Sequence, residues 1–127
     1  MEFLVEGSPK KVEFVKAILP SMIRQLGLQN SRKSLLVRIA NECEGMGMTV
    51  PLNGLDSYVV VVRPMKLKDL GLTLAHEMVH VKQLAKGQMK FLPNEARIWK
   101  GKRYTKKTKY LDMPWEIDAF SKQELLL

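Results

Sequence analysis

Leu74-Ala75-His76-Glu77-Met78-Val79-His80-Val81 is the stretch on which the reading of this chain turns. It lies in a segment from about Leu67 to Lys86 where Leu70, Leu74, Met78 and Val81 return to one face at helical spacing. Gly87 follows as a candidate C-cap. On a helix, residues four apart are separated by about 6 Å along the axis and point nearly the same way. His76 and His80 can therefore reach one metal ion, and they are the only two histidines of the chain. Glu77 projects from an adjacent part of that surface, placed to take a proton from metal-activated water rather than to bind the metal. Zinc, one ion per chain, is the expected metal, since a catalytic zinc takes three protein ligands and keeps a fourth position open. Cobalt or nickel suits the same donors in vitro.

A third ligand is then needed. Cys43 lies upstream in an expected loop, and one thiol cannot build a cysteine-rich zinc site. Downstream, Pro114-Trp115-Glu116 opens a second helix carrying Ile117, Ala119, Phe120 and Leu125 as its apolar residues. Proline at the first helical position gives a rigid first turn that can aim Glu116 back at the histidines. Asp118 is the nearer rival and Asp112 the other. The plain alternative for Glu116 is a first-turn acid favourable to the helix dipole. Gln83, three residues after His80, shares its helix face and either orients a ligand or faces solvent.

Working outward, Ser34–Ala40 and Ser57–Arg63 read as strands, rich in β-branched residues and bounded by turn formers. Tyr58–Val62 shows no alternation and is expected to be covered on both faces, with a sheet edge as the alternative. Gly45, Gly47, Pro51, Asn53 and Gly54 mark loops around a short strand near Met48–Val50. Ser8-Pro9 has the form of an N-cap and first helical residue, followed by Val12, Val15, Ile18, Leu19, Met22, Ile23 and Leu26 at helical spacing. Pro20 should kink or divide this helix, and Gly27 should stop it. Lys100-Gly101-Lys102 between Trp99 and Tyr104 looks like a hairpin turn. Trp99 and Trp115 are expected in the core or cleft walls.

With 127 residues, 46 % hydrophobic and 27 % charged, the chain is expected to form one globular domain over residues 1–127. No apolar stretch is long enough to cross a bilayer, and Met1–Glu6 does not resemble a signal peptide. A cytoplasmic protein without membrane attachment is expected; the oligomeric state is not readable. The formal charge is +8, with Lys100, Lys102, Arg103, Lys106, Lys107 and Lys109 inside ten residues. Such a run is either a solvated loop or a surface for nucleic acid or an acidic substrate. Tyr104 and Tyr110 lie between the motif and Glu116. They are candidates for stabilising an oxyanion or, with the lysines, for stacking on bases.

An HExxH helix followed by a glutamate on a later helix resembles the zincin superfamily and its glutamate-ligand branch, the gluzincins. The brevity of the chain is similar to that of minigluzincin-type and SprT-like peptidases. The likeness covers about Thr73 to Phe120 and the helix–strand order before it. Small proteins of this sort, often phage-encoded, carry a similar basic segment and a PWExxA-like end. For such a source the compartment implied is the host cytoplasm. The resemblance implies His76, His80 and Glu116 as zinc ligands and Glu77 as general base and acid. It also implies an upper strand, Tyr58–Val62, that pairs with an extended peptide substrate. SprT proteins use a third histidine, which this chain lacks, and no metzincin-type glycine and histidine follow His80.

The expectation is an α+β fold: an N-terminal helix, a small mixed or antiparallel sheet of about three strands, the HExxH helix, and a C-terminal helix supplying the third ligand. The expected activity is zinc-dependent hydrolysis of peptide bonds in a protein or peptide substrate. The alternative is a nucleic-acid-associated protein on the same scaffold, binding through Lys100–Tyr110.

Overall fold

The valine-rich run after Ser57 forms the inside of a sheet. In a computed structural model, which describes residues 1–52, 54 and 56–127, the chain is α+β. Its order is β1 (Glu2–Glu6), α1 (Pro9–Gln25), β2 (Ser34–Ile39), β3 (Gly47–Leu52), β4 (Ser57–Val62), α2 (Leu67–Ala85), β5 (Met89–Phe91), β6 (Arg97–Trp99), β7 (Lys102–Tyr104) and α3 (Pro114–Lys122). Asn53, read from sequence as a loop marker, lies outside the described residues.

The main sheet has the order β1-β2-β4-β3. β1, β2 and β4 are parallel, and β3 is an antiparallel edge. The sheet is therefore mixed, with one strand more than expected. The extra strand is β1, whose Phe3 and Val5 pack against the core while Leu4 faces solvent. Val5, Val37, Val60 and Thr49 are successive register partners across the sheet, so an apolar row ends in a hydroxyl on the edge strand.

α1 and α2 cover the face carrying Leu35, Val37, Ile39, Tyr58, Val60 and Val62. Val15, Leu19 and Met22 of α1 and Leu70, Leu74, Met78 and Val81 of α2 are fully buried there. Truncating any one of these leucines to alanine should cost about 2–5 kcal/mol. β4 is not an edge, and its outer face is buried at Val61. It pairs with β2 and β3, and Val59 on its outer face is only half-buried. Its lack of alternation reflects a central position, where β-branched residues suit the backbone on both faces.

Pro20 does not divide α1, which runs unbroken to Gln25. It removes one backbone donor, while burial of Val15, Leu19, Met22 and Ile23 holds both halves on the sheet. Ser8 occupies the N-cap position with Pro9 after it, yet its hydroxyl makes no capping bond. Both long helices stop as expected. Gly27 (φ 71°) and Gly87 (φ 72°) take the left-handed conformation. The next amides then bond back, Leu28 N–H to Ile23 O and Gln88 N–H to Gln83 O.

β5, β6 and β7 form a small antiparallel sheet. The expected hairpin is β6–β7, and both its turn residues, Lys100 and Gly101, have positive φ, as a type I′ turn requires. On α3 the buried residues are Trp115 and Ala119; Ile117 and Phe120 are half-exposed, as is most of Leu125 beyond it. Trp115 and Ala119 dock the helix, leaving Phe120 for another use. Among the described residues no helix is long and apolar enough to cross a membrane.

Candidate metal centre

α2 is buried on nearly every side, and its polar residues are buried with it. His76, Glu77, His80 and Gln83 are all below a tenth exposed, and Gln83 is fully enclosed. Buried polar groups at such a density must be partnered, and every one of them is.

His76 and His80 converge on one atom. Their Nε2 atoms lie 2.9 and 2.7 Å from Glu116 Oε1. The ligand atoms of these three residues all fall within 4.8 Å of one another, so the trio can hold a metal ion. Glu116 is brought there by the first turn of α3, which starts at Pro114 and is anchored by the buried Trp115. Asp118 stands outside this trio. Its Oδ2 accepts from Gln83 Nε2 at 2.9 Å and its Oδ1 pairs with Lys122 Nζ at 2.6 Å. Asp112 is exposed in the turn Tyr110–Asp112 and does not join the trio.

The far nitrogen of each imidazole is held as well. Gln83 Nε2 donates to Trp115 O at 2.9 Å and to Asp118 Oδ2 at 2.9 Å. Both are acceptors, which fixes the orientation of the amide. Gln83 Oε1, 2.7 Å from His80 Nδ1, must then accept the Nδ1 proton. Gln123 Oε1 lies at the same distance, 2.7 Å, from His76 Nδ1. With Nδ1 protonated, a neutral ring turns the lone pair of Nε2 toward Glu116. Two lone pairs and a carboxylate oxygen converging on one point repel one another unless a cation lies between them. Without a metal the rings can satisfy Glu116 only as imidazolium ions. The donor set, two imidazole nitrogens and one carboxylate oxygen with both rings oriented from behind, is of the kind that suits zinc.

The electrostatics of the metal-free protein follow from this geometry. Burial alone would raise the Glu116 pKa, but hydrogen bonds and charge from His76 and His80 outweigh it and hold it at about 2. Burial likewise opposes the charge on His76. The bonds to Glu116 and Gln123 and the nearby carboxylates prevail, so its pKa is raised. For Glu77 burial wins, and its pKa is raised against the opposing pull of His80, the Thr49 bond and His76.

Glu77 Oε1 accepts from Thr49 Oγ1 at 2.7 Å, which ties the carboxylate to the edge strand β3. Gly47 makes this approach feasible. A Cβ there would sit 3.1 Å from Glu77 Cγ, 3.1 Å from Thr73 Cγ2 and 3.2 Å from Val61 O. The group opens into a cleft of about 530 Å³ between β3, the β5–β6 strands and α3. Phe120 forms part of its wall, packed edge-on against His76 with centroids 4.5 Å apart.

The remaining sequence candidates divide. Tyr110 lines the cleft beside Phe120, and burial, then the Glu116 and Glu77 charges, raises its phenol pKa. Tyr104 does not reach the cleft. It packs edge-on against Trp115 at 5.6 Å beneath the Lys102 ammonium. Lys100, Lys102, Arg103, Lys106, Lys107 and Lys109 are exposed on the β6–β7 hairpin and the loop after it. Cys43 is buried, its thiol donating to Gly45 O at 3.4 Å, and takes no part in the trio.

Sequence reasoning singled out His76, Glu77, His80, Glu116 and Gln83, and missed Thr49 and Gln123. Thr49 carries a signal, a hydroxyl within an apolar row, but only once the strand register is known. Gln123 lies past the end of α3 in an ordinary polar setting and offers none. Comparison with protein-family models, with curated proteins and with solved structures found no match to this chain.

Proposed function

We propose that this protein is a zinc-dependent peptide hydrolase of the zincin kind, with His76, His80 and Glu116 as metal ligands and Glu77 as general base. The observation that carries the reading is the convergence of the His76 and His80 Nε2 atoms on Glu116 Oε1, with Gln123 and Gln83 on their Nδ1 atoms, beside a buried carboxylate. A purely structural metal site has no need of that carboxylate.

Zinc held by the trio would supply a Lewis acid and lower the pKa of water toward about 7. Glu77 takes the proton of the attacking water and delivers it to the leaving amine nitrogen. Thr49 keeps the Glu77 carboxylate turned to the cleft, and burial holds its basicity closer to neutrality than that of a surface glutamate. β3 pairs with β4 on one side only among the described strands, so its free edge borders the cleft. An extended substrate can add to that edge through main-chain hydrogen bonds. Tyr110, on the cleft wall, is the candidate oxyanion donor. The lone cysteine fits a reducing, cytoplasmic setting.

The test is hydrolysis of a quenched-fluorescent peptide mixture by zinc-loaded protein. Glu77→Gln should retain zinc and lose activity by about 10²–10⁴-fold, while His80→Ala should lose the metal. A Glu77→Gln protein as active as wild type would overturn the mechanism. A second reading, nucleic-acid binding through Lys100–Lys109, is favoured by the exposure of all six basic side chains. Binding of single-stranded DNA that falls steeply with salt would support it, and salt-insensitive binding would count against it.

A further inference from the structure

Among the described residues that line the cleft, Arg97 is the only lysine or arginine. It stands on β6 opposite Phe91, its register partner on β5. The guanidinium carbon lies 4.3 Å from the Phe91 ring centroid and 5.2 Å from that of Trp115, so the cation sits against two aromatic side chains. Its one protein hydrogen-bond partner among the described residues is the Met89 sulfur, 3.5 Å from a terminal nitrogen. Among the described residues no carboxylate comes within ion-pair distance of it. Glu116 is engaged by the two imidazoles and Glu77 by Thr49. None of the described side-chain nitrogens is both buried and unpartnered, so the remaining N–H groups of Arg97 are not sealed from solvent, and the residue borders the cleft. The result is a cation packed on aromatic rings in the wall of a cleft that holds a candidate metal centre.

We infer that Arg97 is a specificity-determining residue, forming a subsite for a substrate carboxylate near the bond to be cut. That carboxylate is either an acidic side chain or the free end of the chain. The inference rests on the hydrolase reading above. A held guanidinium presents two parallel N–H donors that match a carboxylate, and stacking reduces the ordering cost of each bond. Packing on Phe91 and Trp115 alone would be served by an uncharged side chain. A phosphate would also fit the fork, but Glu77 and Glu116 border the same cleft and oppose a dianion.

The test uses zinc-loaded Glu77→Gln protein, so that peptides stay intact, with binding measured by calorimetry. One pair of probes is capped Ala-Ala-Glu-Ala-Ala and its glutamine counterpart. The other is acetylated penta-alanine with a free or an amidated C-terminus. The carboxylate member of at least one pair should bind about ten- to a hundred-fold more tightly. Which pair responds identifies the source of the carboxylate. Adding Arg97→Met should abolish the difference within the responding pair, and Arg97→Lys should keep part of it. If the methionine variant does not fold, Arg97→Gln gives the same reading. Equal binding within both pairs, no binding of either carboxylate probe, or a preference that survives loss of the guanidinium would overturn the subsite. Wild-type hydrolysis without a carboxylate preference would remove the subsite alone. A preference in a zinc-loaded chain that hydrolyses nothing would instead remove the hydrolase reading.

Discussion

Gln83 accepts the Nδ1 proton of His80 at 2.7 Å from three residues further along the same helix, and its amide nitrogen is tied down on α3. The orientation of an α2 imidazole is thus set by contacts to the helix that also supplies Glu116. Replacing Gln83 with leucine frees the ring and strands two acceptors. Zinc affinity should fall by about 10–100-fold, read by chelator competition. Unchanged affinity would mean that the glutamine orients nothing that matters to the metal.

The Thr49 hydroxyl favours the ionised form of Glu77. In Thr49→Val that support is lost, and the Glu77 pKa should move up further. The acid limb of a kcat/KM profile should shift to higher pH, with the largest loss of rate on the acid side. A profile that drops uniformly without shifting would contradict this role.

At Gly47, β3 packs directly against the HExxH helix. A methyl in Gly47→Ala would press on Glu77, Thr73 and the Val61 carbonyl, at a cost of about 1–3 kcal/mol. It should also displace Thr49, so activity should fall further than stability predicts. Gly45→Ala is the control, since a Cβ there would find its nearest neighbour at 4.0 Å. Thermal unfolding and turnover of both variants check the contrast.

Stability of the metal-free protein should depend on pH in two windows. Glu116 has a folded pKa of about 2 against 4.5, so its stabilisation is present above about 4.5 and fades as pH falls toward 2. His76 has a raised pKa, so its contribution is complete below 6.5 and is lost as pH rises through the folded value. Above that point a neutral His76 imidazole faces the Glu116 carboxylate. Zinc should relieve this and raise Tm more at pH 8 than at pH 5.5, as scanning calorimetry can measure. An equal shift at both values would contradict the convergence described.

The parts of this fold legible from sequence are those fixed by local chemistry. Helical periodicity around His76–His80, glycine at the ends of α1 and α2, and the Lys100-Gly101 turn each follow from backbone preference. Glu116 was legible because Pro114 marks a helix start. The edge strand β3 was only partly legible, as Gly47, Met48 and Pro51 dilute its β-branched signal. The five residues of β1 gain their strand character from pairing with β2. Tyr58–Val62, the substrate-pairing strand that the resemblance implies, is paired on both sides by β2 and β3 and has no free edge. Thr49, Gln123 and Arg97 matter through tertiary contacts, which no local pattern encodes.

Metal stoichiometry tests the central claim most directly. Wild type, Glu116→Ala and Asp118→Ala would each be loaded with zinc, desalted and assayed for metal by mass spectrometry. One zinc per chain should remain in wild type, be lost in Glu116→Ala, and persist in Asp118→Ala with weaker retention through the slackened Gln83. A wild-type chain that holds no zinc, or a Glu116→Ala chain that holds it as firmly as wild type, would contradict the three-ligand centre.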